Sequence, residues 1–330
     1  MKATRGRGIA PHGHLPAFAL LLALGACTPF TGTQSPPGTV AEPAPPQPVP
    51  DAEAPATEIE TPTPLSSAIA AHFKRVENQR LADGLLRTDP RPADVPFAAR
   101  DLEDVFVRVA LHDEYTFVGN RLVEQKTPAP LRRWRGPVRM RLQFGDSVPE
   151  AMQRADTRLV NQFATRLGAL TGHPVSVTQG SANFHVLVLD EAERRDIGPK
   201  LRRLIPGIDQ TTQDVVTNLP RSVSCLVLAF SRSGTDIYTD AVAVIRAELP
   251  DLSRMACYHE ELAQGMGLPN DSPRARPSLF NDAAEFAVLT AMDEYLLRML
   301  YDPRLHPGMR EPEARPIIRR IASEVMGGES

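Results

Sequence analysis

Between residues 29 and 64 the chain carries eleven prolines in thirty-six residues and a single aromatic residue, Phe30. Proline has no backbone N–H and a fixed φ, so it breaks both helix and sheet interiors. Too few apolar side chains remain here to offset the entropy of ordering the backbone. The segment therefore reads as an extended, semi-rigid tether, reaching at most about 110 Å if fully polyproline-like. Whatever folds must be built from the 266 residues that follow, enough for one domain with an N-terminal extension.

Ahead of the tether, Lys2, Arg5 and Arg7 precede an apolar run from Leu15 to Leu24. A run of about ten residues has the length of a signal-peptide core and is too short to span a bilayer as a helix. Leu24-Gly25-Ala26-Cys27 then resembles a bacterial lipobox. That resemblance implies cleavage after residue 26, acylation of the Cys27 thiol and attachment to a membrane through the acyl chains. Thr28, in place of an aspartate, implies the periplasmic face of the outer membrane. Without residues 1–26 the chain holds 34 basic and 40 acidic side chains, a net charge of −6. Such a balance argues against nucleic acid as a partner, because phosphate binding needs clustered positive charge.

Beyond the tether, Ile69, Phe73 and Val76 recur at helical spacing, as do Leu102, Phe106 and Val109. Residues 88–96 separate the two patterns with three prolines. We read 65–130 as a helical extension. From Trp134-Arg135-Gly136-Pro137 onward the character changes. Residues 138–144 alternate as a strand. Leu159, Phe163, Leu167 and Leu170 mark a helix over 155–170 that Gly172 ends. Residues 175–177, 184–189, 224–230 and 237–245 read as further strands, and 251–266 as a helix with Asp251 as its N-cap. The expected architecture is α+β: a mixed sheet, a backing helix, a motif helix and a C-terminal helix over 131–310, with a partly helical tail at 311–330.

The motif helix carries the chemistry. It reads Glu260-Glu261-Leu262-Ala263-Gln264-Gly265-Met266-Gly267-Leu268-Pro269-Asn270-Asp271, followed by Ser278-Leu279-Phe280 and, later, Leu300-Tyr301. Its spacing resembles the His-Glu-x-x-His-x-x-Gly-x-x-His pattern of metzincin-type zinc peptidases with every histidine replaced. In the other register, four residues after His259 stands Ala263, which cannot bind a metal. The resemblance implies Glu260, Gln264 and Asn270 at the ligand positions and Glu261 as a general base. It also implies Gly267 at the turn, Asp271 beside it, and Phe280 where the methionine under the metal lies. Glu260 and Gln264, at i and i+4, share one helix face. The same residues, with Leu300-Tyr301-Asp302-Pro303 and Pro307-Gly308-Met309, resemble family 2927 of bacterial domains of unknown function over about 130–310.

One carboxylate and two amide oxygens form a hard-oxygen set, suited to calcium, magnesium or manganese rather than to three-histidine zinc. The cofactor, if any, is therefore a divalent metal. Cys225 and Cys257 remain once Cys27 is acylated, and an exported chain places them where a disulfide forms, the alternative being two buried thiols. Histidines 112, 173, 185 and 306 are scattered, and His259 points about 100° from Glu260 on a helix. The leading expectation is a lipid-anchored envelope pseudopeptidase that binds an envelope peptide or peptidoglycan. A peptidase-like hydrolase using Glu261, and a purely structural lipoprotein, are the alternatives.

Overall fold

The computed structural model describes residues 64–118 and 121–327. Cys27, the signal segment and most of the tether lie outside the described residues. The chain opens with α1 (Pro64–Ala82) and α2 (Ala99–Ala110). In α2 the apolar side chains of Leu102, Val105, Phe106 and Val109 are all buried, as one face of a 3.6-residue period requires. The extension is not helical throughout. β1 (His112–Val118) and β2 (Arg121–Pro128) pair antiparallel, a hairpin that the sequence reading did not include.

The central sheet is assembled from β3 (Arg133–Trp134), β4 (Val138–Phe144), β5 (Val175–Val177), β6 (Phe184–Leu189), β7 (Cys225–Ser231) and β8 (Ile237–Arg246). Strands β5, β4, β6 and β8 run parallel in that order, β3 is parallel to the first two residues of β8, and β7 is antiparallel to β8. Parallel neighbours need crossovers. The helix α3 (Glu150–Thr171) supplies one, ended by Gly172 in the left-handed conformation at φ 64°. Three short helices follow β6: α4 (Glu191–Arg195), α5 (Gly198–Leu204) and α6 (Gln210–Thr217). The C-terminal half contains α7 (Asp251–Gln264), α8 (Ala291–Leu300) and α9 (Glu311–Val325).

Alternation along the strands sorts two cores. Phe184, Val186 and Val188 of β6 and Ala241, Ala243 and Ile245 of β8 face the larger one, with α2, α3, α7, α8 and α9. Leu187, Leu189, Val242 and Val244 face the smaller one, covered by Ile197, Leu201, Ile205 and Val216. The tail is no frayed end: Ala314, Ile318, Ile321 and Ala322 of α9 are buried, and Glu103 of α2 binds Arg315 at 3.0 Å and Arg319 at 2.9 Å.

The position of α7 is fixed from several sides. Asp251 is its first residue and Pro250 its N-cap, so the cap expected at Asp251 moves back by one. The true anchor of this end is Glu77 of α1, which accepts from Ser253 N at 3.1 Å and Ser253 Oγ at 2.9 Å. A carboxylate at a helix N-terminus meets both the free N–H groups and the positive end of the dipole. In mid-helix, buried Asp156 of α3 takes Arg254 Nε and Tyr258 Oη, each at 2.8 Å. At the far end Trp134 Nε1 donates to Gly265 O at 2.8 Å and Tyr301 Oη to Met266 O at 3.0 Å. Finally, Cys225 and Cys257 form a disulfide, tying α7 to the start of β7.

Candidate functional site

A cleft of about 210 Å³ lies between α7, the start of β7 and the loops after α7. Its lining includes Ser222–Leu226 on one side, Leu279, Asn281, Asp282, Ala284 and Phe286 on the other, and Arg80 and Leu86 from the extension. Four carboxylate residues reach it: Glu260, Glu261, Asp271 and Asp282. β7 pairs with β8 alone, so its outer edge is open beside the cleft among the described residues. The loop leading into β7 is rigid because Arg246 donates to the carbonyls of Val223, Leu219 and Pro220 while bound to Glu191. Burial raises the pKa of Glu191, yet Arg194, Arg246 and Arg195 hold it down to about 2.

Glu260, Glu261 and Gln264 all face the cleft, as one helical face predicts. Glu261 and Gln264 are buried. Asn270 goes elsewhere. Its Nδ2 donates to Arg108 O at 2.7 Å and its backbone N–H to Val109 O at 3.3 Å, stitching the loop to α2. Asp271 occupies the place beside Gln264 instead, accepting from Nε2 at 2.9 Å. Neighbouring residues of an extended segment point to opposite sides, so a shift of one position exchanges the buried amide for the cleft carboxylate.

Gly267 lies where the chain leaves α7 in a conformation that favours glycine. Its φ is 130°, and a Cβ there would lie 2.3 Å from Arg132 O. Phe280 is fully buried in the larger core and does not line the cleft, where its neighbour Leu279 stands. Behind both, Asp293 accepts from Leu279 N at 2.9 Å, Thr290 N at 2.8 Å and Ser278 Oγ, which holds the loop shape. Burial pushes Asp293 up to about 6 against those bonds.

The electrostatics centre on Asp271. Burial first, then the charge of Asp282, pushes it up to about 6, against hydrogen bonds with Gln264 and Glu260. The Asp271 carboxyl therefore keeps its proton to a higher pH than an ordinary aspartate does. Asp282 is in turn paired with Lys126 at 3.1 Å. His259 plays no part here. It stacks on Phe163 with centroids 4.2 Å apart, and its Nδ1 accepts from Leu289 N at 3.2 Å. Burial and nearby Arg166 press its pKa down to about 4, which keeps the ring neutral.

For a cation the donors are oxygens. The sulfur of Cys225 and one oxygen each of Glu260 and Glu261 lie within 4.8 Å of one another, but that sulfur belongs to the disulfide. Glu260 and Glu261 remain, carboxylate oxygens that suit a hard divalent ion better than zinc, with Asp271 and Gln264 elsewhere in the cleft lining. Arg80, Asp282 and residues 222–226 are cleft residues that the motif did not reveal. They come from other segments and meet the motif only through the fold.

Fold and cleft together define a mixed α+β domain, its sheet mostly parallel, with a carboxylate-lined groove beside an open strand edge. The family model described as "Protein of unknown function (DUF2927)" matches residues 99–320, well over half of the chain, and the chain belongs to that family. The match starts before the hairpin, earlier than the motif resemblance covered. No curated protein and no solved structure matches the chain.

Proposed function

We propose that this is a zincin-like domain turned to binding: a pseudopeptidase whose cleft takes an extended, cationic peptide of the bacterial envelope. The observation that carries the reading is the open edge of β7 alongside Glu260, Glu261 and Asp271 on α7. An open edge offers backbone hydrogen bonds to an extended segment, and carboxylates beside it select positive charge. Support for the zincin-like part comes from the antiparallel edge strand facing the motif helix and the helix-ending turn at Gly267. The lipobox at Leu24-Gly25-Ala26-Cys27 and the disulfide support an exported, lipid-anchored protein. A metal, where one binds, sits on Glu260 and Glu261.

A second reading rests on the Glu260–Asp271 pair. The raised Asp271 carboxyl, with Glu260 and Glu261 beside it, supplies an acid and a base for peptide hydrolysis. The Glu261→Gln variant separates the two. Short lysine-containing peptides are expected to bind the whole chain, and more weakly its Glu261→Gln form, with no cleavage product from either by mass spectrometry. Cleavage by the wild type that vanishes in Glu261→Gln would establish the hydrolase instead. Absence of binding to both forms would refute the peptide cleft.

A further inference from the structure

We infer that Arg80 is the carboxylate-recognising residue of this cleft, and that the ligand is a short peptide. It carries a free C-terminal carboxylate at one end and a positive charge at the other. The inference rests on the peptide-cleft reading above and adds a residue to it that lies outside the matched stretch 99–320.

Arg80 stands in the last turn of α1 and lines the cleft with Leu86. It is half-buried, yet among the described residues its guanidinium makes neither an ion pair nor a side-chain hydrogen bond. Other arginines nearby are engaged: Arg87 binds Asp89 and Asp94, Arg276 binds Glu285, and Arg254 binds Asp156. The carboxylates one turn to either side of Arg80 are also taken. Glu77 accepts from Lys74 and Ser253, and Asp83 accepts from Gln79. A guanidinium facing a cleft without a partner is a ready bidentate site for a carboxylate.

Polarity follows from the lining. Arg80 comes from α1, while the acidic groups gather around Glu260 and Gln264 near the C-terminal end of α7. An extended peptide lying along residues 222–226 can meet both. Its carboxylate meets Arg80, and its amine or a lysine side chain meets Glu260, Glu261 and Asp271.

The test uses the whole chain, the Arg80→Gln variant and two probes, the tetrapeptide Lys-Ala-Ala-Ala with free termini and its C-terminal amide, with affinity measured by calorimetry. The free peptide is expected to bind the wild type about tenfold more tightly than the amide. Arg80→Gln should bring the free peptide to the level of the amide and leave the amide unchanged, with unaltered thermal unfolding showing an intact fold. Equal binding of both probes to the wild type would overturn the inference while the peptide cleft stands. Discrimination that survives in Arg80→Gln would overturn the assignment to Arg80. Binding of neither probe would overturn the cleft reading, and the inference with it.

Discussion

Replacing Asp271 by asparagine should change how the stability of this protein depends on pH. In the folded chain Asp271 is pushed from its ordinary 3.8 up to about 6, chiefly by burial and then by Asp282. Near pH 3 and below, the carboxyl is protonated in the folded chain and largely so in the unfolded one, and the raised pKa costs little. As the pH climbs, the unfolded chain ionises first, so stability falls, and the loss is complete above about pH 6. The difference between 3.8 and about 6 corresponds to about 3 kcal/mol at roughly 1.4 kcal/mol per pH unit. Asp271 is only partly buried and water screens it, so about 2 kcal/mol is the expected size. An asparagine keeps an oxygen for Gln264 Nε2 but cannot ionise. Urea unfolding at about pH 3 and about pH 7 should show Asp271→Asn gaining about 2 kcal/mol on the wild type between the two. Asp293 and the other titrating groups are common to both proteins and cancel. Parallel profiles would refute the raised pKa of Asp271 at this site.

Opening the Cys225–Cys257 disulfide by a double serine substitution removes a cross-link of sequence separation 32, and should cost about 3 to 4 kcal/mol in denaturant unfolding. Gly267→Ala places a methyl group against Arg132 O at a φ of 130°, so a loss of about 3 kcal/mol is expected in the same assay. Asp156→Asn leaves the buried Arg254 guanidinium without its main counter-charge and should lower stability by about 3 kcal/mol, seen as a drop in Tm. By contrast, Asp214→Asn, on the exposed Gln210–Asp214 pair, should change stability by less than about 0.5 kcal/mol.

The parts of the fold that the sequence reveals are those with a strong local period. The strands at Val138–Phe144, Val175–Val177 and Phe184–Leu189 fall where alternation places them, and β7 is shifted by one residue. Helices α4 to α6 escape notice because they are five to eight residues long and draw their order from docking on Leu187, Val242 and Val244 rather than from a period of their own. The β1–β2 hairpin left a usable trace, since Tyr115-Thr116-Phe117-Val118 and Leu122-Val123 flank Gly119-Asn120. At the site, Glu260, Glu261 and Gln264 share the cleft because helical spacing is rigid. Past Gly267 the chain is extended, where an error of one residue reverses the side chain's direction, and Asp271 takes the place that spacing gave to Asn270. Arg80 has no motif at all. Only the packing of α1 on α7 brings it to the cleft.

That packing also sets where this protein can be divided. The stretch shared with the family begins at residue 99, but Glu77 secures the first turn of α7, Leu86 closes part of the cleft wall, and residues 86 and 87 pair with 284–287. A fragment trimmed to the shared stretch would keep the carboxylates of the cleft but lose Arg80 and Leu86 from its wall and the Glu77 anchor of α7, so the domain boundary that folds and the boundary of the shared stretch are not the same.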